Sequence, residues 1–182
     1  MAKDKDNDKA GKPKDPIKKL RKLIKGIPVA MLTTSAADGS LRSRPMATQE
    51  DAYDGNLWFL TRYHSPKSEE ILDNQKVSVS YASPKNERFV SISGTATLAQ
   101  DPAKVKELWR GKYKAWFPEG KKDPDLALLK IRVDRAEYWD RSENRMVDLP
   151  RFAPTAAAPG VAAPGRFSDR VEDPPAPGGA QG

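Results

Sequence analysis

The stretch FLTRYHSPKSEEI, residues 59–71, turns from a strand pattern to a helix pattern near its middle. Thr61, Ser65 and Lys67, three groups suited to an anion, fall around that junction. A helix N-terminus has backbone N–H groups without intrahelical partners and the positive end of the helix dipole, so it is a ready anion site. Ser65 stands at the cap, Pro66 at the first helical position, and Lys67 in the first turn. A cation there is repelled by the dipole unless an anion compensates it, which points to a phosphate or a similar group. Thr61, at the strand end, supplies a hydroxyl. Arg44, in the preceding LRSRPMAT segment, supplies a guanidinium that can grip an oxyanion with two bonds. An ordinary capped helix with a solvated lysine satisfies the same pattern, so these residues alone leave both readings open.

Holding such a junction requires a scaffold, and the chain marks its elements clearly. A capping residue followed by proline predicts three helices, at Asp15-Pro16, Ser65-Pro66 and Asp101-Pro102. Gly26 is placed to end the first, while Val105, Leu108, Trp109 and Trp116 carry the helical spacing of the third to about Phe117. Most of the remainder of residues 28–140 reads as strand. PVAMLTTSA and LRSRPMAT flank Ala37-Asp38-Gly39, and Asp54-Gly55 precedes NLWFLT, so both turns read as hairpins. VSVSYA, FVSISGTATLA and LLKIRVDRAEYWD alternate apolar and polar residues. Five or six antiparallel strands with a few short helices suggest a small closed barrel, in which closure removes exposed edges.

Charge and composition narrow the function classes. The net charge of +7 is concentrated in residues 1–27, which hold ten Lys/Arg against four Asp, whereas residues 28–150 hold nineteen against eighteen. The barrel segment is therefore nearly neutral, without the basic residues interleaved with aromatics that a nucleic-acid surface needs. Cysteine is absent and there is one histidine, His64, which excludes disulfides, thiolate catalysis and Cys-ligated zinc and leaves no His-rich metal site. No paired carboxylates or nucleophile–base pair stand out. Without a long apolar run or a signal-like N-terminus, the expectation is a cytoplasmic protein that does not enter membranes. Residues 1–14 read as a disordered basic arm, 15–150 as the folded domain, and 151–182 as a flexible Pro/Ala/Gly-rich tail.

RPMAT, NLWFLTRYHSPKSEEILDN, KVSVSYA, FVSISGTATL and AEYWD follow one another in an order that resembles the pyridoxamine 5'-phosphate oxidase-like split barrels, and within them the general stress protein branch. The resemblance runs over about residues 16–149 and is carried most specifically by the T-x-x-x-S-x-K junction and the late E-Y-W. It implies a mainly β fold, a six-stranded antiparallel split barrel of the FMN-binding type with peripheral helices. It also implies a homodimer with two flavin clefts between the subunits. The family's phosphate grip carries over to Arg44, Thr61, Ser65 and Lys67, its backbone contacts along the flavin ring to Pro45, Met46 and Ala47, and its aromatic contact from the partner subunit to Trp139.

The chain departs from the oxidases themselves. Pro66 replaces an arginine of the phosphate grip, and Gln49 replaces a lysine five residues after Arg44. The oxidases' late R-x-H-D-R pattern becomes Arg145-Met146-Val147-Asp148-Leu149, which loses the substrate histidine and the last arginine. The resemblance thus implies an FMN-dependent oxidoreductase of unknown substrate rather than a vitamin-B6 oxidase. A flavin-binding protein without turnover is the second reading, and a nucleic-acid-binding barrel with a basic arm the third. Trp116 and Phe117 are candidates to cover a flavin face or the dimer seam, although helical spacing more often marks core. His64 reads as a solvated loop residue.

Overall fold

The computed structural model describes residues 15–49, 53–141 and 144–149; the predicted basic arm and the predicted tail lie outside them. Seven strands form one antiparallel sheet: β1 (Val29–Ser35), β2 (Leu41–Ala47), β3 (Asn56–Arg62), β4 (Lys76–Ser83), β5 (Arg88–Ala99), β6 (Leu126–Asp140) and β7 (Arg145–Asp148). Their order is β2-β1-β4-β5-β6-β3, with β7 added beside the end of β6. The first six are the expected strands of a split barrel, and β7 extends it by a short hairpin.

The barrel is not closed. Among the described residues no ladder joins β2 to β3, so the two ends of the sheet face each other across a gap. Asp54-Gly55 is a turn, with Gly55 at φ 106°, but it leads into no hairpin: β3 pairs with β6 over Asn56–Arg132 to Arg62–Leu126. Pro45 marks β2 as an edge strand, since proline has no N–H to give to a further ladder. By contrast Asp38-Gly39 does close the β1–β2 hairpin.

Alternation along the strands builds the core. Ala30 and Leu32 of β1, Val77, Val79 and Tyr81 of β4, Val90, Ile92 and Ala96 of β5, and Leu129, Ile131 and Val133 of β6 fill the barrel. The continuous apolar run Leu126–Leu129 breaks the alternation because β6 is covered on both sides there. Leu126 and Leu128 pack outward under Val105, Leu108, Tyr113 and Phe117, in a second, smaller core. A β-carbon on Gly94 would lie 2.6 Å from both the Arg132 carbonyl oxygen and Ile131 Cγ2. The register shift of β5 falls between Ser93 and Gly94, so this glycine lets β5 and β6 cross closely where the sheet bends.

All three prolines open helices: α1 (Pro16–Ile24), α2 (Pro66–Asp73) and α3 (Pro102–Leu108). Asp15 and Asp101 cap theirs through the backbone N–H of Lys18 and Lys104. The third helix is shorter than its periodicity predicts. It ends at Leu108, and a 3₁₀ turn over Gly111–Ala115 carries Tyr113 and Trp116 instead, because Trp109 leaves the helical conformation at the C-cap. Leu20 and Ile24 of α1 and Ile71 of α2 plug the barrel core. No helix among the described residues is long and apolar enough to cross a membrane.

Candidate functional site

The gap between β2 and β3 is a cleft of about 370 Å³. Pro45, Met46, Ala47 and Gln49 line it from the β2 side, Leu60, Thr61 and Arg62 from β3, Lys67 from α2, and Tyr113, Trp116 and Phe117 from the 3₁₀ segment above. Because successive residues of a strand face opposite sides, the cleft takes Met46 and Thr61 from the inner face of the sheet and Pro45, Ala47 and Leu60 from the outer one. The roof is tied to both lips. Gln49 Nε2 donates to Tyr113 Oη at 2.5 Å, and Arg62 Nη2 donates to the Trp116 carbonyl at 2.5 Å.

Among the polar groups lining this cleft, one is left without a partner and one is a desolvated cation. The Thr61 hydroxyl is buried with no hydrogen-bond partner among the described residues. Such an orphan costs on the order of 1–3 kcal/mol unless a ligand or water completes it. Beside it Lys67 is half-buried. Burial, then the charges of Arg44 and Arg62, hold its ammonium pKa below the usual lysine range, against the opposing pull of Asp125 and Glu70. Lys67 Nζ reaches Ser65 Oγ at 3.2 Å. Ser65 does not cap α2 with its side chain as predicted; it donates instead to the Arg62 carbonyl at 2.9 Å, which closes the turn between β3 and α2 on itself.

Asp125, which no motif announces, holds that turn in place. Its carboxylate accepts from the His64 backbone N–H at 2.8 Å and lies 2.9 Å from His64 Nδ1 and 3.4 Å from Arg62 Nη1. The hydrogen bond from the His64 backbone, with those from the His64 ring and Arg62, keeps its pKa below the ordinary carboxylate range against the effect of burial. The His64 side chain is 83% exposed, in keeping with a solvated loop histidine.

Arg44 stands apart from the cleft. It lies on the inner face of β2 opposite Leu32, and its Nη2 pairs with Glu70 Oε2 at 2.9 Å while Nη1 donates to Thr34 Oγ1 at 2.6 Å. Thr34 in turn donates to Glu70. Burial pushes the Glu70 carboxyl up, but the hydrogen bonds from Thr34 and Arg44 outweigh it and leave its pKa below the usual range. Trp139 is also outside this cleft. It sits near the far end of β6 opposite Met146, on the outer face that includes Phe89. Thus the structure brings Pro45, Met46, Ala47, Thr61 and Lys67 together, keeps Ser65 adjacent to Lys67, and sets Arg44 and Trp139 elsewhere. Gln49, singled out in the sequence only as the replacement of a family lysine, lines the cleft too, and Arg62 and Tyr113 join unforeseen; Arg62 was next to Thr61 in the sequence, but nothing local marked Tyr113.

A second concavity of about 310 Å³ lies on the other side of α2, lined by Asp38, Glu69, Glu70 and Asp73 with Arg42 and Pro66. Its carboxylates repel an anion. Among the described residues no group of three or more His, Cys, Asp or Glu is arranged to hold a metal ion.

A family model described as pyridoxamine 5'-phosphate oxidase like matches residues 15–158. Protein bli-3 of Neurospora crassa is 26% identical over 123 residues, which is 63% of this chain and 59% of that protein's length. The general stress FMN/FAD binding protein of Xanthomonas citri is 30% identical, with 78% of this chain and 97% of that one covered and a TM-score of 0.60. General stress protein 26 of Bacillus anthracis, at 24% identity, shares the fold with a TM-score of 0.63 over 73% of this chain and 98% of its own. With its open six-strand barrel, its cleft at the split and a family match over most of its folded length, the chain belongs to the pyridoxamine 5'-phosphate oxidase-like family.

Proposed function

We propose that the cleft binds FMN and that the chain is a flavin-dependent oxidoreductase related to the general stress proteins, with a substrate other than a B6 vitamer. The observation that carries this reading is the buried, unpartnered Thr61 hydroxyl beside a desolvated Lys67. A phosphate would accept from both and restore the charge balance that Lys67 lacks. Pro45, Met46, Ala47, Leu60 and Phe117 line the adjoining part of the cleft with apolar surface of the kind a flat ring system needs. The 30% identical Xanthomonas citri protein, which binds FMN or FAD, supports the same choice.

In this reading Thr61, Ser65 and Lys67 hold the phosphate, and Pro45, Met46 and Ala47 border the ring. Arg44 acts through Glu70 and through its field on Lys67, unless it leaves that pair for the phosphate. A bound flavin would supply hydride and electron acceptance, so the side chains need only bind, orient and exclude water. None of the residues lining the cleft is a carboxylate or a histidine, which agrees with that division of labour.

The active form in this proposal is a homodimer. The outer face of the sheet carries Val29, Met31, Phe89 and Met146, all at least 39% exposed, around the small residues Ser80, Ala82 and Ser91. Val29 also lines the cleft, so a second copy seated on this face would overlie the cleft mouth, with Trp139 on the same face available to its neighbour. A B6 oxidase is disfavoured because Val147 replaces the substrate histidine, and Leu149 is 3% exposed in the barrel core rather than facing a ligand.

The test is titration of the purified protein with FMN and with riboflavin, followed by flavin fluorescence. FMN is expected to bind at least about tenfold more tightly, the worth of one or two charge-assisted hydrogen bonds to its phosphate. Equal affinity for the two flavins overturns the proposed grip.

A further inference from the structure

We infer that Arg62 is the second cation for the phosphate of the bound flavin, held beside Thr61, Ser65 and Lys67 by contacts it can give up. The inference rests on the flavin reading and deepens it. A phosphate monoester carries a charge of about −1.5 to −2 at neutral pH, and Lys67 can balance only one unit of it. Among the described residues that line the cleft, Arg62 and Lys67 are the cations and none is a carboxylate. Arg44, the other guanidinium whose charge reaches Lys67, is already committed, to Glu70 at 2.9 Å and to Thr34 at 2.6 Å. The unmet charge of the phosphate therefore falls to Arg62.

The backbone of Arg62 is fixed at the base of the turn that carries the grip. Its carbonyl accepts from Ser65 Oγ at 2.9 Å and from Ser68 Oγ at 2.8 Å, and Lys67 Nζ reaches the same Ser65 Oγ at 3.2 Å. Asp125 holds the next two residues, taking the Tyr63 N–H on its carbonyl at 2.7 Å and the His64 N–H on its carboxylate at 2.8 Å. A cation anchored in this way needs little further ordering to meet a ligand.

The side chain of Arg62, by contrast, is held loosely. It is 46% exposed, and its guanidinium lies 5.4 Å from the ring centroid of Phe117, which lines the cleft with it. Nη1 stands 3.4 Å from the Asp125 carboxylate, longer than the roughly 2.7–2.9 Å of a charge-assisted hydrogen bond, and that carboxylate is shared with the His64 ring. Nη2 donates at 2.5 Å to the Trp116 carbonyl, a neutral acceptor that leaves the guanidinium charge unbalanced. A planar fork with five donors can keep such a carbonyl on one nitrogen while another meets a phosphate oxygen. The charge of Arg62 is felt at the grip even without ligand, since burial, Arg44 and Arg62 together lower the Lys67 pKa. An anion of nearly two charges relieves both cations at once.

The experiment titrates full-length wild-type protein, Arg62→Gln and Arg62→Lys with FMN and with riboflavin, which has the same ring and no phosphate, and reads flavin fluorescence. Arg62→Gln is expected to lose about tenfold in FMN affinity and less than about twofold in riboflavin affinity. Arg62→Lys keeps the charge without the fork and should return FMN affinity to within about threefold of wild type. Equal loss of both flavins in Arg62→Gln overturns the inference, because Arg62 would then only hold the roof through Trp116. An FMN preference untouched in Arg62→Gln also overturns it and passes the second charge to Arg44. A wild-type protein that binds neither flavin, or both equally, defeats the phosphate grip itself, and this inference falls with it.

Discussion

Two polar groups lie on either side of the first turn of α2, and they have opposite electrostatic characters. On the inner side Arg44, Thr34 and Glu70 complete one another. The carboxylate accepts from both partners, and its pKa is held down by the hydrogen bonds it receives in spite of burial. In the split Thr61 and Lys67 have no such completion. A hydroxyl is orphaned, and an ammonium is disfavoured by burial and by neighbouring cations. The first arrangement stabilises the fold, and the second leaves groups that the proposed phosphate would complete. Similar residue types serve both, so the difference lies in what each side chain finds within about 3 Å. A guanidinium that resembled a phosphate ligand in the sequence belongs to the completed group, and a threonine that resembled its helper belongs to the open one.

The largest effect expected from breaking this contrast is on flavin binding. Lys67→Glu should weaken FMN by more than about a hundredfold, since loss of a charge-assisted hydrogen bond alone is worth about 1.5–3 kcal/mol and the reversal adds repulsion. Lys85→Glu and Lys121→Glu, on exposed turns, serve as controls in the same titration. Equal losses in all three would mean that Lys67 acts only through overall charge.

Next in size is the stability effect of opening the completed group. Glu70→Gln should lower unfolding free energy by about 2 kcal/mol, less than a fully buried broken pair costs, because Arg44 keeps a fifth of its side chain in water. A urea midpoint shifted down at constant slope checks this. The sign with pH is fixed by the depressed carboxyl. The contribution of Glu70 is full above the ordinary glutamate range and is lost as pH falls through its lower folded-state value. The variant should therefore show a shallower loss of stability on the acid side, and an unchanged acid limb would remove Glu70 from the account.

A pair of threonine substitutions sharpens the comparison with a difference in sign. Thr61→Val should raise the stability of flavin-free protein by up to about 1 kcal/mol, because it removes a buried hydroxyl that has no partner, and should weaken FMN. Thr34→Val should lower stability by about 1–2 kcal/mol, since it strips a donor from Glu70 and an acceptor from Arg44. Thermal melts of both variants without flavin decide it; a matching sign would mean that the two hydroxyls are equivalent after all.

The smallest effect is on pH. The Lys67 pKa is lowered in the free protein, and a bound phosphate would raise it again. FMN affinity should thus be full below that lowered value and fall by up to about tenfold as pH rises through it, with proton uptake on binding in that window. Lys67→Met, measured over the same range by calorimetry in two buffers of different ionisation heat, should lose the proton uptake.

Much of the fold was legible in the chain because it depends on local rules. Proline after a cap residue fixed where α1, α2 and α3 begin, and alternation fixed which residues of β1, β4, β5 and β6 fill the barrel. Periodicity misled where it was read too far: Trp109 to Phe117 repeat at helical spacing, yet the backbone leaves α3 at Trp109 and the aromatics reach the smaller core from a 3₁₀ turn. The site was legible in the same partial way. Thr61, Ser65 and Lys67 share one turn, so their proximity follows from spacing, and Pro45, Met46 and Ala47 follow from one edge strand.

What spacing does not carry is any relation between distant segments. By itself the sequence determined an antiparallel barrel with three proline-started helices and an anion-suited junction, because those follow from backbone sterics, hydrophobic period and the dipole of one helix. Only the tertiary structure decided that the barrel stays open between β2 and β3, that Glu70 claims Arg44, that Asp125 fixes the turn from sixty residues away, and that Gln49 meets Tyr113 across the split. Each of these is a choice among several chemically competent partners, and the choice is made by which side chains the packed sheet brings within hydrogen-bonding distance, information that no local pattern contains.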